Sequence, residues 1–107
     1  MFKKIIKKIY RHKEDISVRE MFEIIKTNNN AILLDVRSKQ EYEEGHINGS
    51  INIPVYELEK TAKIKLNKES IIIVYCSAGV RSKRAVQTLR KLGYKNIYNI
   101  EGGIENL

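Results

Sequence analysis

The chain has 107 residues, near the commonest domain size, with 42% hydrophobic and 31% charged residues, so one domain with a genuine core is expected. Its longest apolar runs are a handful of residues, too short for a membrane span, and one cysteine with two scattered histidines excludes an internal disulfide, a CxxC redox pair and a zinc site. The net charge of +7 sits at the start: residues 1–13 hold six of the 20 Lys and Arg and no acid, whereas the remainder carries 14 basic against 13 acidic residues. The expected organisation is therefore a basic N-terminal extension over 1–13 and one domain over 14–107. No basic stripe with interleaved aromatics runs through the body, so nucleic-acid binding is not expected.

Met1 to Tyr10 lacks the continuous apolar middle and small-residue cleavage site of a signal peptide, which points to the cytoplasm. Phe2, Ile5, Ile6 and Ile9 alternate with Lys3, Lys4, Lys7 and Lys8 in an amphipathic, basic pattern. Membrane-surface contact through residues 1–13 is the minor reading of it, and a solvated or core-docked extension the major one.

Ser17-Val18-Arg19-Glu20 fits a capping box, followed by Val18, Met21, Phe22 and Ile25 at helical spacing and a stop at Asn28-Asn29-Asn30. Ala31 to Val36 is a continuous apolar run interrupted only by Asp35, as for a strand buried on both faces. Ser38 to Glu41 is a second capping box, opening a short helix that ends at Gly45. Ser50 to Ile53 reads as a short strand closed by Pro54. Val55 to about Leu66 reads as an amphipathic helix. Ile71 to Tyr75, β-branched throughout its apolar run, is the strongest strand.

Ser82 to Leu92 is expected to be helical, with Ser82 as its N-cap, Ala85, Val86, Leu89 and Leu92 on one face, and Gly93 just past its end. Ile97 to Ile100 is the last strand, before a Gly102-Gly103 turn. Strands alternating with helices indicate an α/β domain with a largely parallel sheet.

In such sheets ligands bind at the carboxyl ends of the strands, and Cys76 sits at one, directly after the strongest strand. The following Ser77-Ala78-Gly79-Val80-Arg81-Ser82 is short and small enough for its backbone N–H groups to turn inward as an anion cradle. The helix N-terminus and Arg81 add positive charge. Such surroundings favour a thiolate and suit an anionic substrate. Ser77 is expected to serve through its backbone N–H. Asp35, Arg37 and the acids from Glu41 to Glu44 are expected to tie down the neighbouring loop. His46 is expected to be a hydrogen-bonded loop residue and not a general base.

The segment Cys76-Ser77-Ala78-Gly79-Val80-Arg81-Ser82 resembles the C-x-x-G-x-R-S loop of single-domain rhodaneses. Asp35-Val36-Arg37, Glu41-Tyr42, Gly45 to Pro54, Gly93 to Ile97 and Gly102-Gly103-Ile104 resemble that family's flanking signatures, in the family's order. The resemblance covers nearly all of residues 15–107. It implies a five-stranded parallel sheet flanked by helices on both faces, and a sulfurtransferase with no cofactor and no metal. Cys76 would carry sulfane sulfur as a persulfide, cradled by Ser77 to Ser82, with Arg81 helping to bind the donor. The implied donor is a small sulfur-containing anion such as thiosulfate, or a persulfide; the acceptor is cyanide or an external thiol, which could be carried on a protein.

Two rival readings come with the same resemblance. Phosphatases and arsenate reductases of this fold place five residues between cysteine and arginine, whereas this chain has four, a loop that suits sulfur better than a tetrahedral phosphoryl group. The other rival is a non-catalytic binding module. The family often closes with an aromatic after its Gly-Gly pair, and this chain has none there, which bears on the packing of the last turn.

Overall fold

The computed structural model describes residues 13–105. The basic arm and its amphipathic pattern lie outside them, apart from Lys13. Serine hydroxyls start two of the helices as expected. Ser17 Oγ accepts from Glu20 N at 3.0 Å, and the Glu20 carboxylate accepts from Ser17 N at 2.9 Å, opening α1 (Val18–Thr27). Ser38 and Glu41 make the same reciprocal pair at the head of α2 (Lys39–Glu44).

The strands are β1 (Asp15–Ile16), β2 (Ile32–Asp35), β3 (Ile51–Asn52), β4 (Ile72–Tyr75) and β5 (Ile97–Ile100). They pair in the order β1-β5-β4-β2-β3, every pair parallel, so the most apolar strand, β4, is the central one. Side chains alternate across it, as extended backbone requires. Leu34, Val36, Ile72, Val74, Cys76 and Ile97 face α3 (Leu58–Lys65) and α4 (Val80–Lys91). Leu33, Ile73, Tyr75, Tyr98 and Ile100 face α1 on the other side. Helices on both faces explain why these strands read as unbroken apolar runs.

Three features differ from the sequence reading by more than one residue at an element's end. The fifth strand is β1, a two-residue edge segment pairing Asp15 with Asn99 and Ile16 with Ile100. It is too short to leave an alternation pattern, and its place is held by Asn99 N donating to Glu14 O and Glu101 N donating to Ile16 O. The segment after Pro54 starts as a 3-10 turn (Val55–Glu57) before α3 begins. Finally, α4 begins at Val80, two residues before the expected start, with Gly79 as its cap.

The end of α4 follows the sequence closely. Gly93 takes φ +97°, and Gly93 N and Tyr94 N donate to the carbonyls of Arg90 and Leu89, a Schellman closure. This turn buries Tyr94, whose hydroxyl lies 2.9 Å from both the Ala62 and Leu66 carbonyls and so ties the last turn of α3 to α4.

Candidate active site

Cys76 is the first residue beyond β4, and its side chain is 1% exposed. Its Sγ accepts hydrogen bonds from Gly79 N at 3.1 Å and Ser82 N at 3.3 Å. These are amides of the cap and first turn of α4, where the helix's unpaired N–H groups concentrate partial positive charge. The sulfur also stands 3.4 Å from Ser82 Oγ, which itself donates to Gly79 O at 3.1 Å.

Gly79 makes this geometry possible. Its φ of +98° is a left-handed conformation that disfavours a side chain, and it folds the chain back over the sulfur. The N-cap role expected of Ser82 therefore belongs to Gly79. Ser82 is the third residue of α4, wholly buried, with both its N–H and its hydroxyl against the sulfur. The cradle seen at the sulfur consists of these two amides. Ala78 and Val80 are exposed, the latter by 71%.

Arg81 leans across the loop to Glu41 on α2. Its Nη1 donates to Oε1 at 2.6 Å and its Nη2 to Oε2 at 2.9 Å, a two-pronged ion pair at the protein surface. Ser77 Oγ joins the cluster, 3.3 Å from Glu41 Oε2 and 3.5 Å from Arg81 Nη2. The guanidinium holds the Glu41 carboxyl down at about 2, helped by the Ser38 N–H and hydroxyl. Arg81 is raised above its ordinary value, chiefly by its hydrogen bonds to Glu41. Sequence reasoning grouped Glu41 with Asp35 and Arg37; the structure gives it to Arg81.

A depressed carboxyl contributes stability above its unfolded value, and loses it as pH falls through the folded one. The stability difference between the wild type and Glu41→Gln should therefore stay level from pH 8 to about 5. It should then shrink as pH falls towards about 2, read from urea midpoints at each pH. Both side chains are about a third exposed, so the plateau is expected to stay below about 1 kcal/mol.

Asp35 and Arg37 pair at the start of the loop after β2. Asp35, wholly buried, accepts from Arg37 N at 2.9 Å, Nε at 3.1 Å and Nη2 at 2.8 Å. Arg37 Nη2 also donates to Gly45 O, and the guanidinium carbon lies 5.9 Å from the centre of the Tyr75 ring. The Tyr75 hydroxyl accepts from Ile47 N and meets Ser50 Oγ, and burial pushes it up to about 12. Asp35 shares the strand-end edge with Cys76 but projects from the opposite face of the sheet, beside Leu33 and Tyr75. His46 is exposed, with Nδ1 2.7 Å from Tyr42 O and its ring stacked on Tyr42 at 3.7 Å, so it is a loop residue.

One support was missed by sequence reasoning. After β5 the chain turns back so that Ile104 N donates to Cys76 O at 3.0 Å and Glu105 N to Ser77 O at 2.8 Å. The turn presses so closely on the loop that a Cβ on Gly103 would overlap the carbonyl groups of Cys76 and Ser77. The Gly-Gly pair signalled a turn but not what the turn touches.

Comparison with known proteins agrees with this geometry. The family model described as a rhodanese-like domain matches residues 17–107. The uncharacterised protein YqhL of Bacillus subtilis is 47% identical over 75 residues, covering 70% of this chain and 59% of that protein. A second Bacillus subtilis relative is covered over 49% of its length, so this chain spans only part of these curated relatives. The thiosulfate sulfurtransferase GlpE of Coxiella burnetii is 33% identical over 92 residues, covering 86% of this chain and 84% of that protein. Among solved structures, a rhodanese-related protein from Thermoplasma volcanium is 40% identical with a TM-score of 0.75, covering 86% of this chain and 87% of that one. The human single-domain sulfurtransferase is 31% identical with a TM-score of 0.72, covering 85% and 91%. With its parallel five-stranded sheet and a single cysteine folded into the loop after the central strand, this chain belongs to the rhodanese-like domain family.

Proposed function

We propose that the protein is a sulfurtransferase that carries sulfane sulfur as a persulfide on Cys76. The observation that carries this reading is the pair of amides, Gly79 N and Ser82 N, aimed at the buried sulfur from the start of α4. Two backbone N–H groups at a helix N-terminus stabilise negative charge on sulfur without a general base. The sulfurtransferase names of relatives that align along most of their length support the same chemistry.

In the first half-reaction the Cys76 thiolate attacks the outer sulfur of the donor. With thiosulfate, the S–S bond breaks, sulfite leaves with its electron pair, and a Cys76 persulfide forms. In the second, cyanide or a thiolate attacks the outer sulfur and Cys76 leaves as thiolate, ready for the next cycle. Cys76 is the one cysteine in these 107 residues, so no other thiol within this domain can take the sulfur. The acceptor is therefore external to this domain, a small thiol or a thiol carried on a protein, and the cytoplasm is the compartment that best supplies one.

Incubation with thiosulfate and cyanide should yield thiocyanate from the wild type and essentially none from Cys76→Ala. Release of phosphate from an aryl phosphate at a comparable rate would favour the phosphatase reading instead. The four-residue spacing from Cys76 to Arg81 argues against that outcome.

A further inference from the structure

Arg81 is the cation at the mouth of the loop, yet its charge is already matched. Glu41 grips it by both Nη atoms, and Ser77 Oγ closes the cluster from the loop side. The carboxylate stays ionised across the neutral range, since it is held at about 2. It belongs to α2, whose start is fixed by the Ser38 capping box, so Glu41 is held in place from its own helix as well as by Arg81. An inorganic dianion arriving at Arg81 thus meets a fixed negative charge against the same guanidinium.

Resting on the sulfurtransferase reading, we propose that Glu41 is a specificity residue that screens Arg81 and turns the site from small inorganic dianions towards organic persulfides. An organic persulfide, R–S–SH, delivers its outer sulfur with no dianionic group beside it. The Cys76 thiolate attacks that sulfur, the donor S–S bond breaks, R–S⁻ leaves with the electron pair, and Cys76–S–SH forms. The proton stays on the transferred sulfur, and no oxidant or reductant is consumed. Such a donor needs little from Arg81, whereas thiosulfate must compete with Glu41 for it.

Glu41→Gln tests this while keeping the helix start, because the amide oxygen can still accept from Ser38 N. Removing one charge from direct contact with the guanidinium is expected to lower the KM for thiosulfate about fivefold or more, the size of a short-range charge interaction near a protein surface. The KM for an alkyl persulfide with no charged group besides its sulfhydryl should move less than twofold. In an Arg81→Ala background the same substitution should lower the KM for thiosulfate by less than it does in the wild type, since only direct repulsion by Glu41, and not its competition for the guanidinium, is left to remove. An unchanged or raised KM for thiosulfate in Glu41→Gln would overturn the proposal and leave the residue a purely structural partner of Arg81.

A binding measurement separates this proposal from the reading beneath it. Sulfite titrated calorimetrically into Cys76→Ala and into Cys76→Ala/Glu41→Gln reports anion affinity without turnover. Tighter binding to the double variant, with no persulfide formed by the wild type, would reject the sulfurtransferase reading and keep Glu41 as a screen against anions. Equal binding would reject the screen, whatever the wild type's activity.

Discussion

Gly103→Ala is expected to cost about 2–5 kcal/mol of stability and to abolish most sulfur transfer by the protein that still folds. Two effects act together. The residue sits at φ +69°, where an L side chain is strained, and its new methyl would overlap the main-chain carbonyls of Cys76 and Ser77. Those carbonyls are held by Ile104 N and Glu105 N, so they cannot yield without releasing the closing turn from the loop. Gly102→Ala provides the comparison. It shares the left-handed conformation at φ +75°, but its methyl would enter open space, so only the conformational cost of about 1 kcal/mol should appear. Urea denaturation of both variants, with thiocyanate formation measured beside it, reads the difference. Equal stabilities would mean that the turn does not press on the loop.

Asp35→Ala is expected to lower stability by about 3–5 kcal/mol while leaving sulfur transfer per folded molecule nearly intact. The substitution strands the Arg37 guanidinium, which is only 9% exposed, without its counter-charge. The loss should spread to the loop between β2 and β3, because Arg37 also holds Gly45 O, and Asn52 Nδ2 donates to the carbonyls of Asp35 and Arg37. Catalysis should survive because Asp35 and Cys76 project from opposite faces of the sheet. A variant that folds well but has lost activity would instead place Asp35 in the chemistry.

What the sequence revealed and what it hid have a common physical basis. Features written into neighbouring residues were legible: both Ser-x-x-Glu boxes, the apolar core of β4, the glycine closing α4, and Cys76 at a strand end. Features that depend on distant segments meeting were not. β1 is held by β5, more than eighty residues away, and two residues carry no periodicity. Glu41 could be assigned to its helix but not to Arg81, forty residues on, because several cations lay within reach of the pattern. Ser82 looked like a cap because serine often is one. Gly79 took that place by adopting a conformation that suits glycine, which freed the serine to face the sulfur. The buttress from Ile104 and Glu105 works through backbone amides, which no side-chain pattern reports.

The fate of Cys76 is the most direct test of sulfur transfer by this protein. Intact-mass measurement of the protein after incubation with a sulfur donor, thiosulfate or a simple alkyl persulfide, followed by removal of the excess, should show a gain of one sulfur atom. The gain should map to the Cys76 peptide, be absent from Cys76→Ala, and disappear on adding cyanide as thiocyanate is released. A wild-type protein that gains no sulfur from either donor, or one whose added sulfur persists in Cys76→Ala, would contradict it.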